Sequence, residues 1–438
     1  MSRTDTLAPA ATPDLSGASA TPGRGSSLRG RVRRWLGASD TSSSALDLRS
    51  TTPVQLSSYD RALVWVVLML LAFSLVMVFS ATIVMSDNSR RFGEIGEYHF
   101  LIRHIVAIVL ALVMALVVVN ISVDRLEQLT PLAILAALGA LVVVLVIGST
   151  VNHAKRWINL GPLNFQPTEL AKLAMAMYSA HYMKRKLREN TGFWRSVLPM
   201  GLVLALMAFL VMKEPDLGAV VVLSCISLGV LWLGGVNARM MGLVFAIVAS
   251  IVVVVIATSP FRKARVLAYL NPWDPVYAQE KGYQLVQALI AFGRGGIWGQ
   301  GLGDSLEKQH YLPEAHTDFI LSVIAEEVGL VGVLVLILVY YWLVRRIFHI
   351  GRQAIVINRV YAGLLTQGIG IWLGFQVFTN MGVNMGVLPT KGFTLPMMSY
   401  GGSGMIMNLI AIAIVVRVDI ESRAEMRDGR RAARGGSS

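Results

Sequence analysis

Residues 62–85 read ALVWVVLMLLAFSLVMVFSATIVM and contain no charged side chain. A helix of about 20 apolar residues is long enough to cross the hydrocarbon core of a bilayer. The stretch is also longer than the apolar segment of a secretory signal. It therefore predicts a transmembrane helix that stays in the mature chain.

Similar apolar blocks recur along the chain and indicate its fold class. Hydrophobic residues make up 55% of the 438 residues and charged residues 15%, whereas soluble domains carry about 25% charged residues. This composition excludes a soluble globular enzyme and a disordered protein. It predicts an all-α polytopic membrane protein with ten transmembrane helices, at 62–85, 101–120, 131–148, 168–183, 197–213, 217–234, 240–258, 319–344, 361–381 and 397–416.

The basic residues between these blocks predict the orientation of the helices. Lysine and arginine concentrate on the side to which both termini belong, so the positive-inside rule places both termini in the cytoplasm. The net charge of +13 then reflects membrane topology, and we expect no nucleic-acid partner. We predict a disordered cytoplasmic region at 1–58, a membrane domain at 59–418 with a large extracytoplasmic loop at 259–318 between helices 7 and 8, and a basic cytoplasmic tail at 419–438.

Ionisable side chains inside or near the apolar blocks are candidate functional residues, because a charge at membrane depth is costly. Glu169 and Lys172 lie three residues apart in the weakest block, a spacing at which they can also simply neutralise each other. Glu214 and Asp216 lie at the tip of a predicted helical hairpin, where Asp216 can cap the second helix. The remaining candidates on the predicted outer side are Asp318, Glu326, Glu327, Lys391, Arg103 and His104.

Two segments of the large loop carry further candidates. In NPWDP at 271–275, prolines fix the backbone around Asp274, which is either a turn-forming residue or a base beside the ring of Trp273. The run GRGGIWGQGLG at 293–303 is either a phosphate cradle of backbone N–H groups or a turn-rich hinge. His310, Glu314 and His316 do not form a zinc motif. The residues alone leave a transporter and a membrane-embedded enzyme equally open.

Several motifs in collinear order favour the membrane-embedded enzyme over the transporter, because together they resemble the SEDS family (shape, elongation, division and sporulation). The resemblance covers residues 59–420, and the long N-terminal region and the NPW and PTKG motifs are most similar to its division members, with the elongation paralogues second. The motifs are QPTELAK at 166–172, EPDLG at 214–218, NPWDP at 271–275, GYQ at 282–284, GQGLG at 299–303, LPEAHTDF at 312–319, LPTKG at 388–392 and SYGGS at 399–403.

The resemblance implies a peptidoglycan glycosyltransferase that polymerises lipid II into glycan strands in the bacterial cytoplasmic (inner) membrane, at the division septum. It also implies a class B penicillin-binding protein as the crosslinking transpeptidase partner, with other divisome membrane proteins nearby. The essential aspartate of the family maps onto Asp274. In this chain Trp273 and Asp274 are adjacent, whereas many division members have one residue between them.

The chemistry of this reaction assigns roles to the candidate residues. Asp274 is the expected general base, which takes the proton of the acceptor sugar hydroxyl as that hydroxyl attacks the donor sugar with inversion. The undecaprenyl pyrophosphate leaving group needs positive charge, for which we expect Lys391, Arg262 and Arg265. No cofactor is established by the sequence, although a divalent cation can share this task. We expect the other substrate-binding residues to be Glu169, Lys172, Glu214, Asp216, His316 and Ser399.

The alternatives are a lipid II flippase, an elongation-type polymerase of the same family, and a scaffold that only recruits the transpeptidase. A flippase needs polar groups through the full thickness of the membrane, whereas the candidates here favour the outer half.

Overall fold

The computed structural model describes residues 59–87, 98–151, 154–159, 164–188, 193–236, 238–280, 282–309 and 311–435. The region 1–58, predicted to be disordered, lies outside the described residues, and so does His310.

The described part of the chain is dominated by helices. They are α1 Arg61–Asp87, α2 His99–Val119, α3 Val123–Ile147, α4 Pro167–Arg188, α5 Phe193–Lys213, α6 Leu217–Leu233, α7 Ala238–Ala257, α8 Pro260–Leu270, α9 Pro275–Ala278, α10 Tyr283–Gly295, α11 Ile320–Val356, α12 Val360–Asn384 and α13 Gly402–Gly435.

The lengths and compositions of these helices confirm a polytopic membrane protein. Within the described residues, six helices are long and apolar enough to cross a bilayer, namely α1, α2, α3, α11, α12 and α13. Helices α7 and α8 meet at a bend of 95°. They make a seventh span if they are counted as one bent element. Helices α5 and α6 contain shorter apolar stretches.

A small antiparallel sheet between α3 and α4 was not predicted. Its strands are β1 Ser149–Val151, β2 Ala154–Asn159 and β3 Asn164–Phe165, in the order β1-β2-β3. The pairs Val151↔Ala154 and Asn159↔Asn164 close its two turns. The strands are too short for a period-2 pattern to be recognised in the sequence. The fold remains an all-helical membrane protein, to which this sheet adds one connection.

Some helix boundaries also differ from the predicted spans. Helix α3 begins at Val123 rather than at 131, because a polar first turn precedes the apolar stretch and Pro131 lies within the helix. Helix α13 begins at Gly402 rather than at 397, and residues 385–401 form a non-helical segment that we call the re-entrant segment. Helix α13 then continues to Gly435, so the predicted tail at 419–438 begins as an extension of this helix.

The centre of the bundle is formed by α4, α6 and α12, which pack against one another. Helix α12 is buried along most of its length, and Trp372 is fully buried. Helix α4 is also largely buried. This explains why its sequence is the weakest of the predicted spans: a helix surrounded by other helices does not need an apolar face toward lipid.

Helix α11 is broken at Gly329, whose φ of 75° is rare for residues with a side chain. The loop after α10 fills the break with backbone hydrogen bonds. The N–H groups of Gln300 and Gly301 donate to the carbonyls of Glu326 and Glu327, at 2.9 and 3.1 Å, and the N–H groups of Leu330 and Val331 donate to Gly296 and Ile297, at 3.0 and 3.2 Å. The predicted phosphate cradle is therefore wrong for Gln300 and Gly301, because their amides are already engaged.

Candidate functional site

Arg156 of β2 binds the backbone of the hairpin tip between α5 and α6. Its Nε donates to the carbonyl of Glu214 at 2.8 Å, and its Nη2 donates to the carbonyl of Pro215 at 2.7 Å. The Asp216 side chain accepts a hydrogen bond from Ala219 N at 3.1 Å, which confirms the predicted N-cap of α6. One guanidinium and one cap therefore fix the position of both acidic residues at the tip.

Glu214 is fully buried, and neither of its carboxyl oxygens has a hydrogen-bond partner. Burial, together with the neighbouring charge of Asp216 and against that of Arg156, raises the pKa of this carboxyl to about 8. A buried carboxylate without a partner is costly, so Glu214 carries a proton near neutral pH.

Lys391 lies in the re-entrant segment among three arginines. Burial lowers the pKa of its ammonium group to about 8. The charge of Asp216 opposes this shift, whereas those of Arg265, Arg156 and Arg262 add to it. The expected pyrophosphate-binding residues Lys391, Arg262 and Arg265 are therefore close enough to influence one another electrostatically.

Asp318 approaches the same region from the segment before α11. Its backbone carbonyl accepts hydrogen bonds from the side-chain amides of Asn380 and Asn384, at 2.8 and 3.0 Å. Burial raises the pKa of its carboxyl to about 7, and the negative charges of Glu314 and Asp216 contribute, against Arg156 and Arg265. Asp318 is thus a second carboxyl that titrates near neutral pH.

These residues form a group that we call the charged cluster. Four cationic side chains face four carboxyl groups within it. Its members are Arg156, Arg262, Arg265, Lys391, Glu214, Asp216, Glu314 and Asp318.

A polar cavity of about 60 Å³ lies below the hairpin tip, between α4, α6 and α12. Lys172 and Glu169 form a buried ion pair of 2.7 Å on its wall, which confirms that the two residues neutralise each other. Gln376 receives hydrogen bonds from Lys172 Nζ at 3.2 Å and from Trp372 Nε1 at 2.9 Å. Asp216 also lines the cavity, so the cavity and the charged cluster are continuous.

Asp274 lies on the arm that follows α8. Its side chain caps the one-turn helix α9 by accepting a hydrogen bond from Val276 N at 2.9 Å. The arm is tied to the re-entrant segment, because the hydroxyl of Tyr269 donates to the carbonyl of Val387 at 2.7 Å. The half-buried carboxyl of Asp274 is accessible to solvent, and it lies five residues after Tyr269 along the chain.

His316 lies beside Glu314 of the charged cluster, and Ser399 lies in a turn of the re-entrant segment. The His316 ring contacts those of Phe100 and Tyr400, with centroids 5.6 and 5.4 Å away. Burial lowers the pKa of its imidazole against the opposing charge of Glu314. The hydroxyl of Ser399 accepts a hydrogen bond from Leu395 N at 2.7 Å within its own turn. Their predicted role in substrate binding stays a prediction.

Glu326 and Glu327 belong to a separate buried network beneath the glycine-rich loop. Lys308 Nζ donates to Glu327 at 2.8 Å and to Ser80 of α1 at 2.9 Å. The hydroxyl of Ser305 donates to Glu326. This network connects the loop to α1 and α11.

The expected site residues omitted Arg156, Asp318 and Glu314. Asp318 is among the ionisable candidates of the sequence, whereas Arg156 is not. No local pattern indicates the contacts of Arg156 and Asp318, because both contact residues that are distant in sequence. Nowhere in the described ranges do three His, Cys, Asp or Glu side chains form a group that could hold a metal ion.

Comparison with known proteins defines the class of this chain. Residues 61–424 match the family model of the cell cycle protein family FtsW/RodA/SpoVE. The chain is 49% identical over 381 residues to a protein of Burkholderia thailandensis named probable peptidoglycan glycosyltransferase FtsW, which covers 86% of this chain and 82% of the relative. An Escherichia coli protein of the same name is 41% identical over 368 residues, or 84% of this chain and 87% of the relative.

Solved structures agree with these sequence matches. The structure of Thermus thermophilus rod shape determining protein RodA is 29% identical, covers 84% of this chain and 98% of its own, and has a TM-score of 0.60. A chain from a peptidoglycan synthase complex that coordinates polymerization and crosslinking is 29% identical, covers 83% of this chain and 98% of its own, and has a TM-score of 0.66.

The chain belongs to the FtsW/RodA/SpoVE family, which confirms the predicted SEDS membership. Within the family, several relatives at 41–49% identity carry the name of one particular member, FtsW.

Proposed function

We propose that this protein is an FtsW-type peptidoglycan glycosyltransferase that polymerises lipid II into glycan strands. The observation that carries the proposal is the charged cluster, which contains Lys391, Arg262 and Arg265. Such a group of cations suits a pyrophosphate. Helix α8, which carries both arginines, continues into the arm that bears the Asp274 carboxylate. The relatives named probable peptidoglycan glycosyltransferase FtsW support the same activity.

In the proposed reaction Asp274 is the general base. It accepts the proton of the acceptor hydroxyl while the oxygen attacks the anomeric carbon of the donor, and the bond from that carbon to the pyrophosphate oxygen breaks. The configuration inverts, and undecaprenyl pyrophosphate leaves with its negative charge. Lys391, Arg262 and Arg265 stabilise this charge. No step of this mechanism uses a metal ion, and a divalent cation stays a prediction.

The topology that suits this reaction has ten spans with both termini in the cytoplasm. The six long helices, the bent pair α7–α8 and the shorter helices α5 and α6 account for nine of them. Helix α4 is the tenth, because a buried helix of 22 residues is long enough to cross a bilayer. The charged cluster and Asp274 then lie on the extracytoplasmic side, where the sugars of lipid II are presented.

The proposed partner is a class B penicillin-binding protein, whose transpeptidase activity crosslinks the new strands. The similarity to a chain of a peptidoglycan synthase complex supports this pairing. The expected location is the inner membrane at the division septum, among other divisome membrane proteins. A fluorescent fusion at midcell would support the division role, whereas a fusion along the side wall would favour the elongation role.

The second candidate is a lipid II flippase, which the polar cavity at Glu169 and Lys172 favours because it places charges between helices. Both activities can be measured with one preparation, the chain reconstituted in vesicles with its class B partner and fluorescent lipid II. The proposal predicts labelled glycan polymer on a gel, with no acceleration of lipid II movement between leaflets. Rapid movement without polymer would establish the flippase.

A further inference from the structure

The charged cluster contains as many carboxyl groups as cationic side chains. Four cations face four carboxyl groups there, and Glu214 carries a proton near neutral pH. With Asp318 ionised, the cluster therefore has a net charge of only about +1 to attract a pyrophosphate. Protonation of a carboxyl changes this balance by one unit of charge. The carboxyls of the cluster therefore determine how strongly it binds an anion.

Asp318 is the carboxyl that the structure places best for this task. The backbone of the residue is fixed by Asn380 and Asn384, both buried. Its carboxyl lies against Gly392, where a methyl group would approach Asp318 Oδ2 to 2.7 Å. Gly392 follows Lys391 directly and lines the polar cavity. The absence of a side chain at Gly392 therefore allows Asp318 to lie beside the expected pyrophosphate site.

The surroundings of Asp318 come from several elements. Helix α12 contributes only neutral amides, from Asn380 and Asn384. Charged groups act on it from its own segment, the hairpin tip, β2 and α8. These groups are Glu314, Asp216, Arg156 and Arg265. In the re-entrant segment, Lys391 directly precedes Gly392 in the chain.

We propose that Asp318 takes up a proton from solution when the pyrophosphate of lipid II or of undecaprenyl pyrophosphate binds. The incoming negative charge favours the neutral carboxyl, whose O–H then donates a hydrogen bond to a phosphate oxygen. The proton comes from bulk water, and no covalent bond to the substrate changes. Asp318 is thus a substrate-binding residue that links affinity to pH. This inference rests on the proposed function only in its choice of substrate.

The direction of the pH effect follows from the state of the free site. Because the pKa of Asp318 is raised to about 7, the carboxyl is mostly protonated at pH 6.5 and mostly ionised at pH 8. Binding at pH 8 must therefore include proton uptake, which weakens it. Between these pH values the dissociation constant should rise about tenfold.

The test is calorimetric binding of undecaprenyl pyrophosphate to the full chain in nanodiscs, at pH 6.5, 7.5 and 8. Repeating it in buffers of different ionisation enthalpy gives the number of protons taken up. At pH 8 the wild type should take up close to one proton more than Asp318→Asn, and only the wild type should show the tenfold weakening due to Asp318. The proton uptake that remains in Asp318→Asn comes from Lys391, which is partly uncharged at pH 8.

Two further variants keep the result decisive. Glu214→Gln removes the other carboxyl with a raised pKa and should retain the proton uptake. Asp318→Glu keeps a titratable carboxyl and should retain it too. The inference is overturned if Asp318→Asn binds with wild-type proton uptake, or if Glu214→Gln abolishes the uptake. Polymerisation of lipid II is measured in parallel, so that the absence of polymer counts against the proposed function and leaves the binding result independent.

Discussion

At the scale of single residues, the pair Glu169–Lys172 illustrates the cost of charge inside the bundle. Both side chains are buried, and one carboxyl oxygen of Glu169 has no partner other than the charge of Lys172 nearby. Removing one member of a buried pair typically costs about 3–5 kcal/mol, whereas replacing both is often nearly neutral. The ammonium group also lies over the ring of Trp372, 5.3 Å from its centre.

We therefore expect Lys172→Met to lower the thermal unfolding midpoint strongly. The double variant Glu169→Gln with Lys172→Met should recover most of the loss, because no uncompensated charge remains. Thermal unfolding of the purified protein in detergent measures both. If the double variant unfolded at the same temperature as Lys172→Met, loss of the ion pair would not explain the lower unfolding midpoint of Lys172→Met.

Lys391 gives a pH prediction with a definite sign. Its lowered pKa of about 8 means that the side chain is charged below pH 8 and loses its charge as the pH rises through this value. In an Asp318→Asn background, which removes the titration of that carboxyl, polymerisation should therefore fall about tenfold in kcat/KM from pH 7 to pH 9. Adding Lys391→Arg, which keeps its charge over this range, should flatten this decline in a lipid II polymerisation assay. An unchanged alkaline decline in this variant would show that another group titrates.

At the scale of elements, the contact between α10 and α11 depends on a missing side chain. A methyl group on Gly295 would lie 1.9 Å from the carbonyl oxygen of Ala325, whereas one on Gly293 would meet no atom within 4 Å. Both glycines belong to α10. They differ only in whether the helix α11 lies next to them.

Gly295→Ala should accordingly separate α10 from α11 and cost about 3 kcal/mol or more. Gly293→Ala should be neutral or stabilise by up to ~1 kcal/mol, because alanine favours the helix. The comparison needs only unfolding midpoints of the two variants. Equal midpoints would contradict the packing of these helices.

Local chemistry explains which elements and contacts could be predicted from the sequence. The apolar blocks, the cap at Asp216 and the pair Glu169–Lys172 depend on residues within a few positions of each other, so their patterns are visible in the chain. Arg156 instead contacts Glu214, 58 residues away, and Asp318 lies against Gly392. Nothing in a single sequence indicates such distant pairs.

The breaks in the helices also could not be predicted from the sequence. A glycine at 329 in an apolar stretch is compatible with a continuous helix, and only the loop that hydrogen-bonds into α11 makes it a break. The start of α13 at Gly402 is similar. Met397 has a positive φ of 61°, which the apolar pattern across 397–416 did not reveal.

At the scale of the whole molecule, a cluster of ion pairs joins both ends of the described chain. Asp60, just before α1, forms an ion pair with Arg346 of α11, and its N–H donates to Asp419 of α13 at 2.8 Å. Arg423 in turn pairs with Asp419 at 2.8 Å. The start of α1 and the part of α13 around Asp419 are therefore next to each other, which agrees with an even number of spans.

This arrangement predicts the outcome of a labelling experiment. In a chain with Cys225→Ser, a cysteine at Leu302→Cys should react with a membrane-impermeant maleimide on intact spheroplasts, because Leu302 is exposed in the large loop. A cysteine at Ser438→Cys should react only after the membrane is opened. Labelling of both positions from outside would exclude ten spans.

The most direct measurement concerns Asp274. Asn replaces its carboxyl without loss of the N-cap, since asparagine also accepts the hydrogen bond from Val276. Asp304→Asn is the matched control, because Asp304 is an exposed carboxyl of the same loop. Both variants, purified with the class B partner, are given lipid II, and the glycan product is separated by length.

Asp304→Asn should make polymer at the wild-type rate. Asp274→Asn, equally stable and equally bound to its partner, should make at least 100-fold less, since a general base contributes about 10²–10⁴-fold. Polymer from Asp274→Asn at the wild-type rate would exclude Asp274 as the general base.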